Sequence, residues 1–332
     1  MPEQVTSNQA FASLTPDTML DAIDSTGVLC NGQFLALNSY ENRVYQVGLE
    51  EGAPLVAKFY RPKRWSDEAI IEEHQFTQAL AEEEIPVIAP LADEAGQTLR
   101  RYGEIRFALY PCRGGRAPEL DNPDQLEQLG RFIGRIHMMG AVRPFEHRPR
   151  IDMESYMLVP SRFLLSENFI PGHLIDAYES LIRDLQPRIE TCYRQAGAIA
   201  NIRLHGDFHP GNVLWRDDGP QIVDFDDARM GPAVQDLWMF LSGDRPYMTA
   251  RLADLLDGYT RFCDFNPAEL HLVEALRTLR LVHFAGWLAK RWDDPAFPQA
   301  FPWFDSLNFW EEHILTLREQ LAKMEEPPLV WD

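Results

Sequence analysis

Residues 205–212 read "HGDFHPGN". Two histidines flank an aspartate at alternate positions, and an asparagine closes the run. Three chemistries use such residue types: a metal centre, a base serving a nucleophile, and phosphoryl transfer. For zinc, His205, Asp207 and His209 would share a face if the run were a strand. Its glycines and proline argue for a loop instead, and a fourth ligand is not evident. A two-metal phosphoesterase would set its Gly-Asn well downstream of its Gly-Asp and follow it with histidine, whereas here Val213 follows at once. A serine hydrolase needs a G-x-S-x-G elbow, and the chain has none.

Spacing favours the third chemistry. Asn212 stands five positions after Asp207, and Asp224 follows beyond a hairpin signal, in "DFD" (224–226). Protein kinases carry an Asp base, an Asn five residues on that binds magnesium, and a second magnesium-binding Asp after a short hairpin. ATP phosphates are anionic, and Mg²⁺ prefers carboxylate, amide and water oxygens over sulfur or imidazole. An Asn beside an Asp supplies an oxygen without adding repulsion. The aspartate facing the acceptor hydroxyl must stay ionised to receive its proton.

These residues need a scaffold, and its pattern is legible. "FLAL" (34–37), "RVYQVGL" (43–49) and "PLVAKFY" (54–60) alternate as strands. Lys58 stands on the third, where a phosphate-holding lysine belongs. Next, "WSDEAIIEEHQFTQALAEEE" predicts a helix capped by Ser66 or Asp67, with Ile70, Phe76 and Leu80 on its apolar side. It carries Glu72 and Glu73, either of which suits the lysine, and register does not fully separate them. Glu73 is preferred because Phe76 and Leu80 fall three and seven positions on. "PVIAPLA" and "EIRFALYP" read as two more strands.

Glycine, proline and polar residues then cluster in "YPCRGGRAPELDNP" (110–123), which marks a linker. Beyond it helical spacing dominates, as in Leu126, Leu129, Ile133 and Ile136, interrupted by a hairpin signal at Asp218-Gly219. The expected fold is α+β and two-lobed. A small antiparallel lobe with one helix spans 1–111, a hinge 112–118, and a larger helical lobe with an inserted hairpin 119–332.

A net charge of -20 argues against nucleic acid and anionic membranes as partners. The stretch "MPEQVTSNQAFASLTPDTM" has no basic or apolar region of a signal peptide, and no apolar run has membrane-spanning length. A cytoplasmic monomer is expected. Cys30, Cys112, Cys192 and Cys263 are too scattered for zinc-finger spacing and read as buried thiols.

"LHGDFHPGNVLW" with "IVDFDDARMGPAVQDL" resembles the aminoglycoside phosphotransferase and choline kinase superfamily of kinase-like folds. More narrowly, "LNSYENRVYQV", "FYRPKRW", "EEHQF", "GPAVQDLWM", "DPAFP" and "EPPL" resemble the bacterial stress response kinase A (YihE) family, over about Leu14 to Leu329. That resemblance implies an ATP- and Mg²⁺-dependent serine/threonine protein kinase of aminoglycoside-phosphotransferase-like fold. It implies Asp207 as proton acceptor, Asn212 and Asp224 as magnesium ligands, and Lys58 with Glu73 at the ATP phosphates. It also implies Ser39 as an ATP-site serine and Asp236 as a brace of the catalytic loop. "LYPCRG" becomes the adenine-binding hinge, which brings in Tyr110 and Cys112.

Two features depart from ordinary protein kinases. "LNSYENRVY" holds no glycine, so backbone N–H groups and Ser39 must hold phosphate. D-F-G is D-F-D, with no A-P-E downstream, so a phosphorylation-switched activation loop is not supported. Two alternatives stay open, a kinase for a small hydroxylated molecule and a nucleotide-binding scaffold without catalysis. The basic island "RPKRW" (61–65) reads as a solvated turn or a docking surface, and His205 as structural.

Overall fold

A computed structural model describes residues 11–331. Residues 1–10 lie outside it, and with them part of the stretch read above for a targeting signal. Along the chain run α1 (Pro16–Asp24), β1 (Cys30–Ala36), β2 (Arg43–Leu49), β3 (Leu55–Phe59), α2 (Asp67–Glu82), β4 (Arg100–Tyr102), β5 (Ile105–Pro111) and α3 (Pro123–Gly140). They are followed by α4 (Val159–Ser166), α5 (Ile175–Ala196), β6 (Ile202–Leu204), β7 (Val213–Arg216), β8 (Gly219–Ile222) and β9 (Arg229–Gly231). Last come α6 (Gln235–Trp238), α7 (Arg245–Tyr259), α8 (Val273–Ala289), α9 (Ala296–Ala300) and α10 (Leu307–Lys323). No described helix is long and apolar enough to cross a membrane. The fold is α+β.

The chain divides into two compact units. The first runs to Glu119 and takes in Phe145–Arg148 and His209–Ala228; the second holds Leu120–Pro144, Pro149–Phe208 and the chain from Arg229 on. The sequence reading gave 119–332 to one lobe, but two of its stretches fold with the first unit. The cause is hydrogen bonding. Ile88 N donates to Ile222 O at 2.9 Å and Ile222 N to Pro86 O at 2.7 Å, while Arg116 and Trp215 exchange backbone bonds. The β7–β8 hairpin is thereby tied to the segment after α2 and to the segment after β5.

In the first unit five antiparallel strands run in the order β1-β2-β3-β5-β4. Side chains alternate across β3. Ala57 and Phe59 enter one core with Met19, Ala22, Ile23, Val47, Phe107 and Leu109. Lys58, opposite Val44 and Ala108, faces the other way. One helix was expected here, yet α1 is a second. Thr15 caps it, Pro16 opens it, and Met19, Ala22 and Ile23 are its buried stripe. "PVIAPLA" is not a strand: Val87 makes one bridge to Ile222. Pro86 and Pro90 have no N–H to extend a ladder.

The second unit is mainly helical, with a short β6–β9 ribbon. "LGRFIGRIH" shows how α3 and α7 meet. A Cβ on Gly130 would lie 1.9 Å from Leu255 O, and one on Gly258 1.9 Å from Glu127 O. Only glycine permits this approach of two backbones. Of "GPAVQDLWMFL" (231–241), only Gln235–Trp238 is α-helical.

Candidate active site

One cavity of the first unit, about 480 Å³ in volume, is lined by Ser39, Lys58, Glu73, Tyr110, Cys112, Asn212 and Asp224. Six segments of the chain supply these seven residues. Ser39 sits in the turn between β1 and β2, where its Oγ donates to Asn42 O at 3.3 Å. Tyr110 ends a buried relay: its hydroxyl lies 3.0 Å from that of Tyr60, which is 2.7 Å from His74 Nε2. His74 Nδ1 in turn lies 2.8 Å from Thr98 Oγ1. Beyond Cys112 the segment continues to Gly115, where a Cβ would meet Leu214 of β7 at 2.7 Å. The glycine lets the hinge segment lie directly on that strand.

Lys58 is 7% exposed, and its Nζ lies 3.0 Å from Asp224 Oδ1 and 3.2 Å from Asp226 Oδ1. Burial works against its charge, but Asp224 and Asp226 outweigh burial and hold the ammonium well above its ordinary pKa. Lys58 thus pairs with the 224–226 loop, and no Lys58–Glu73 ion pair forms. The two glutamates have separate duties. Glu72 accepts the backbone N–H groups of Glu146, His147 and Arg148. Glu73 is 2% exposed, and no hydrogen bond reaches its Oε2. Burial pushes its carboxyl up to about 7.

Asp224 has φ +63°, a left-handed conformation that aspartate tolerates better than most residues. Its side chain is 56% exposed. Asn212 is bound on both sides by backbone: its N donates to His209 O at 2.9 Å, and its O accepts from Val223 N at 3.0 Å. That second bond fixes the residue before Asp224. One carboxylate and one amide oxygen on one cavity wall form a donor set that fits Mg²⁺ arriving with phosphate. Among the described residues no group of three or more His, Cys, Asp or Glu clusters as a metal site. His205 is buried and stacked on Phe208 at 4.8 Å, and His209 Nδ1 accepts from Gly211 N at 3.0 Å.

In the second unit, Asp207 follows β6 and pairs with Arg280 of α8. The loop before it is fixed by Asp236, which is fully buried. Its Oδ2 accepts from His205 N at 2.8 Å and its Oδ1 from Gly206 N at 2.9 Å. His137 Nε2 lies 3.1 Å from Asp236, and His137 Nδ1 3.0 Å from the Tyr259 hydroxyl. Gln235 Nε2 adds a bond to Gly206 O at 3.1 Å.

Sequence reasoning missed Asp226, Arg64, Arg148 and Arg280. The "RPKRW" island is a turn with Pro62 and Lys63 exposed, but its arginines are not solvated. Arg61 is 7% exposed, and the Arg64 side chain pairs with Asp226 and Asp227. A signal existed: the island is the basic counterpart of "DFDD". Arg280 had only the weak signal of a charge inside an apolar helix. The cysteines are free thiols, but only Cys192 is buried, because the others sit at a strand end, the cavity rim and a turn.

A model of the phosphotransferase enzyme family matches residues 34–273. Stress response kinase A of Escherichia coli K12 is 44% identical over 319 residues, 96% of each chain. A Salmonella typhimurium protein named serine/threonine protein kinase RdoA is equally similar, at 44% over 96% of each chain. Among solved structures, the amicoumacin kinase hAmiN with AMP-PNP, Ca²⁺ and its antibiotic has a TM-score of 0.71 at 18% identity, covering 97% of both chains. A microcompartment-associated aminopropanol kinase has a TM-score of 0.70 at 16% identity, covering 93% of this chain and 97% of the other. These two likenesses are of fold. The sequence matches carry the family: this chain belongs to the stress response kinase A family, within the phosphotransferase enzyme family, and is an ATP-dependent kinase.

Proposed function

We propose that this kinase transfers the γ-phosphoryl group of ATP to serine or threonine hydroxyls of proteins, its own included, with Mg²⁺ bound beside the nucleotide. The observation that carries the reading is the shared cavity of Lys58, Asn212 and Asp224, whose 480 Å³ suits a nucleotide-sized ligand. Tyr110 and Cys112 offer hinge backbone to adenine. Ser39 and Lys58 hold phosphate oxygens, Lys58 as a fixed positive charge. Glu73 lines the cavity behind Lys58. Asn212 and Asp224 would hold the metal, which when bound offsets phosphate charge as the transfer proceeds.

Asp207 accepts the hydroxyl proton while the acceptor oxygen bonds phosphorus and the bond to the ADP oxygen breaks. Asp236 keeps the loop in place for this step. Catalysis rests on positioning and charge. The protein acceptor is supported by the name of the Salmonella relative, and a role in stress response by that of the Escherichia coli one. The net charge of -20 suits a monomer working in the cytoplasm, away from nucleic acid and membrane. Incubation with γ-labelled ATP and Mg²⁺, followed by phosphoamino-acid analysis, tests the reading. Label is expected on phosphoserine or phosphothreonine of the kinase and of a generic protein substrate. Absence of label from both would defeat it.

A further inference from the structure

The kinase reading leaves Asp226 without a role, yet it is a buried carboxylate held by three side chains, Lys58, Asn42 and Arg64. It is 5% exposed. Its Oδ1 lies 3.2 Å from Lys58 Nζ. Its Oδ2 accepts from Asn42 Nδ2 at 3.1 Å and from Arg64 Nη1. Arg64 also reaches Asp227 Oδ1 at 2.9 Å, gripping the loop at two successive residues. Arg148 grips the loop backbone, donating to Asp226 O at 2.9 Å and Ala228 O at 2.8 Å. Arg148 is itself held by Ala69 O at 2.9 Å and, through its backbone, by Glu72.

Lys58 therefore has two carboxylate partners of different kinds. Asp224 is half-exposed and is the residue proposed to turn toward a metal. Once engaged there, it serves the ammonium less. Asp226 is buried and anchored from several sides, so it has no comparable freedom. Glu73 is not an ion-pair partner of Lys58: burial pushes its carboxyl up to about 7, and nothing donates to its Oε2. The basic segment 61–65 gains a purpose on this view, because Arg64 is what fixes Asp226.

We infer that Asp226, anchored by Arg64 and Asn42, is the positioning residue that keeps the Lys58 ammonium in place for the nucleotide phosphates. The inference rests on the reading of Lys58 as the phosphate-holding lysine. Asp226 is not among the residues lining the cavity; it acts through Lys58. The arrangement also explains the aspartate where D-F-G has glycine. A second carboxylate there makes the metal-binding turn supply the lysine's permanent partner.

The test is ATP affinity in EDTA, measured by calorimetry, beside KM for ATP and kcat at saturating Mg²⁺. The proteins are wild type, Lys58→Ala, Asp226→Asn, Asp226→Glu and Arg64→Gln. Asp226→Asn should weaken metal-free ATP binding about tenfold, the size of removing one close charge pair. It should raise KM for ATP more than it lowers kcat. Arg64→Gln should move both in the same direction by less, and Asp226→Glu should restore part of the binding. The Lys58→Ala, Asp226→Asn double variant should bind no worse than Lys58→Ala alone.

Metal-free binding at the wild-type level in folded Asp226→Asn, with Lys58→Ala impaired, would overturn the inference and leave the kinase reading intact. So would an effect of Asp226→Asn confined to the Mg²⁺ concentration required. Should Asp226→Asn not fold, wild-type ATP binding by Arg64→Gln would overturn it equally. Unimpaired binding by Lys58→Ala would instead remove the reading of Lys58 and the inference with it.

Discussion

Lys58 Nζ lies 3.0 Å from Asp224 Oδ1, although 166 positions separate the two residues. β3 delivers the lysine and the turn after β8 delivers the aspartate. A buried cation and a half-exposed carboxylate thus meet at one cavity.

Replacing the lysine tests its side of that meeting. Lys58→Ala should lower kcat/KM for ATP by about 10² to 10³, as removal of one preorganised charge at a reacting group does. Steady-state kinetics with varied ATP reads this directly. A loss smaller than about threefold would remove Lys58 from the mechanism.

Asp207→Asn keeps the size of the side chain but cannot take up a proton at neutral pH. It should lower kcat by about 10² to 10⁴. ATP affinity, set by residues of the first unit, should stay as in the wild type. Equal loss of affinity and turnover would show that Asp207 acts on binding.

Asp236 accepts two buried backbone N–H groups, from His205 and Gly206. Asp236→Ala leaves both unsatisfied, at roughly 1–3 kcal/mol each. Urea unfolding should report a loss of about 3 kcal/mol or more, with Asp236→Asn losing less because one acceptor oxygen remains. An unchanged midpoint for the alanine variant would deny the brace.

Glu73 gives a dependence on pH. Its carboxyl is raised to about 7 in the folded protein, against an ordinary 4.5. The folded state binds this proton more tightly than the unfolded chain. Its contribution is therefore full below about pH 4.5 and is lost as pH rises through about 7. At about 1.4 kcal/mol per pH unit, the loss by pH 8 is about 3 kcal/mol. The stability of Glu73→Gln relative to wild type should therefore grow by about that amount between pH 4.5 and 8. A constant difference across that range would show that the carboxyl is not raised.

Much of the site was legible because it is written locally or in fixed order. Asp207 and Asn212 share one loop, Asp224 follows a hairpin announced by Asp218-Gly219, and Lys58 stands on the third alternating segment. Asp226 and Arg64 were not legible, because their relation spans 162 positions and exists only after folding. Read singly, "RPKRW" is a polar turn; only burial turns its arginines into anchors. The helix α1 escaped notice because nine residues with three buried apolar positions make a weak periodic signal. "PVIAPLA" misled for the opposite reason: its apolar run is buried, but its prolines prevent a ladder. Linear order could not show that 209–228 folds with the first unit, since hydrogen bonds to Pro86, Ile88 and Arg116 decide it.

Asp224→Ala puts the central claim to its most direct test, read as Mg²⁺-dependent release of ADP from ATP beside circular dichroism of the same sample. An unaltered spectrum with turnover reduced at least about 10²-fold is the predicted result. Wild-type turnover by the folded variant would contradict the assignment of this cavity as the phosphoryl-transfer site.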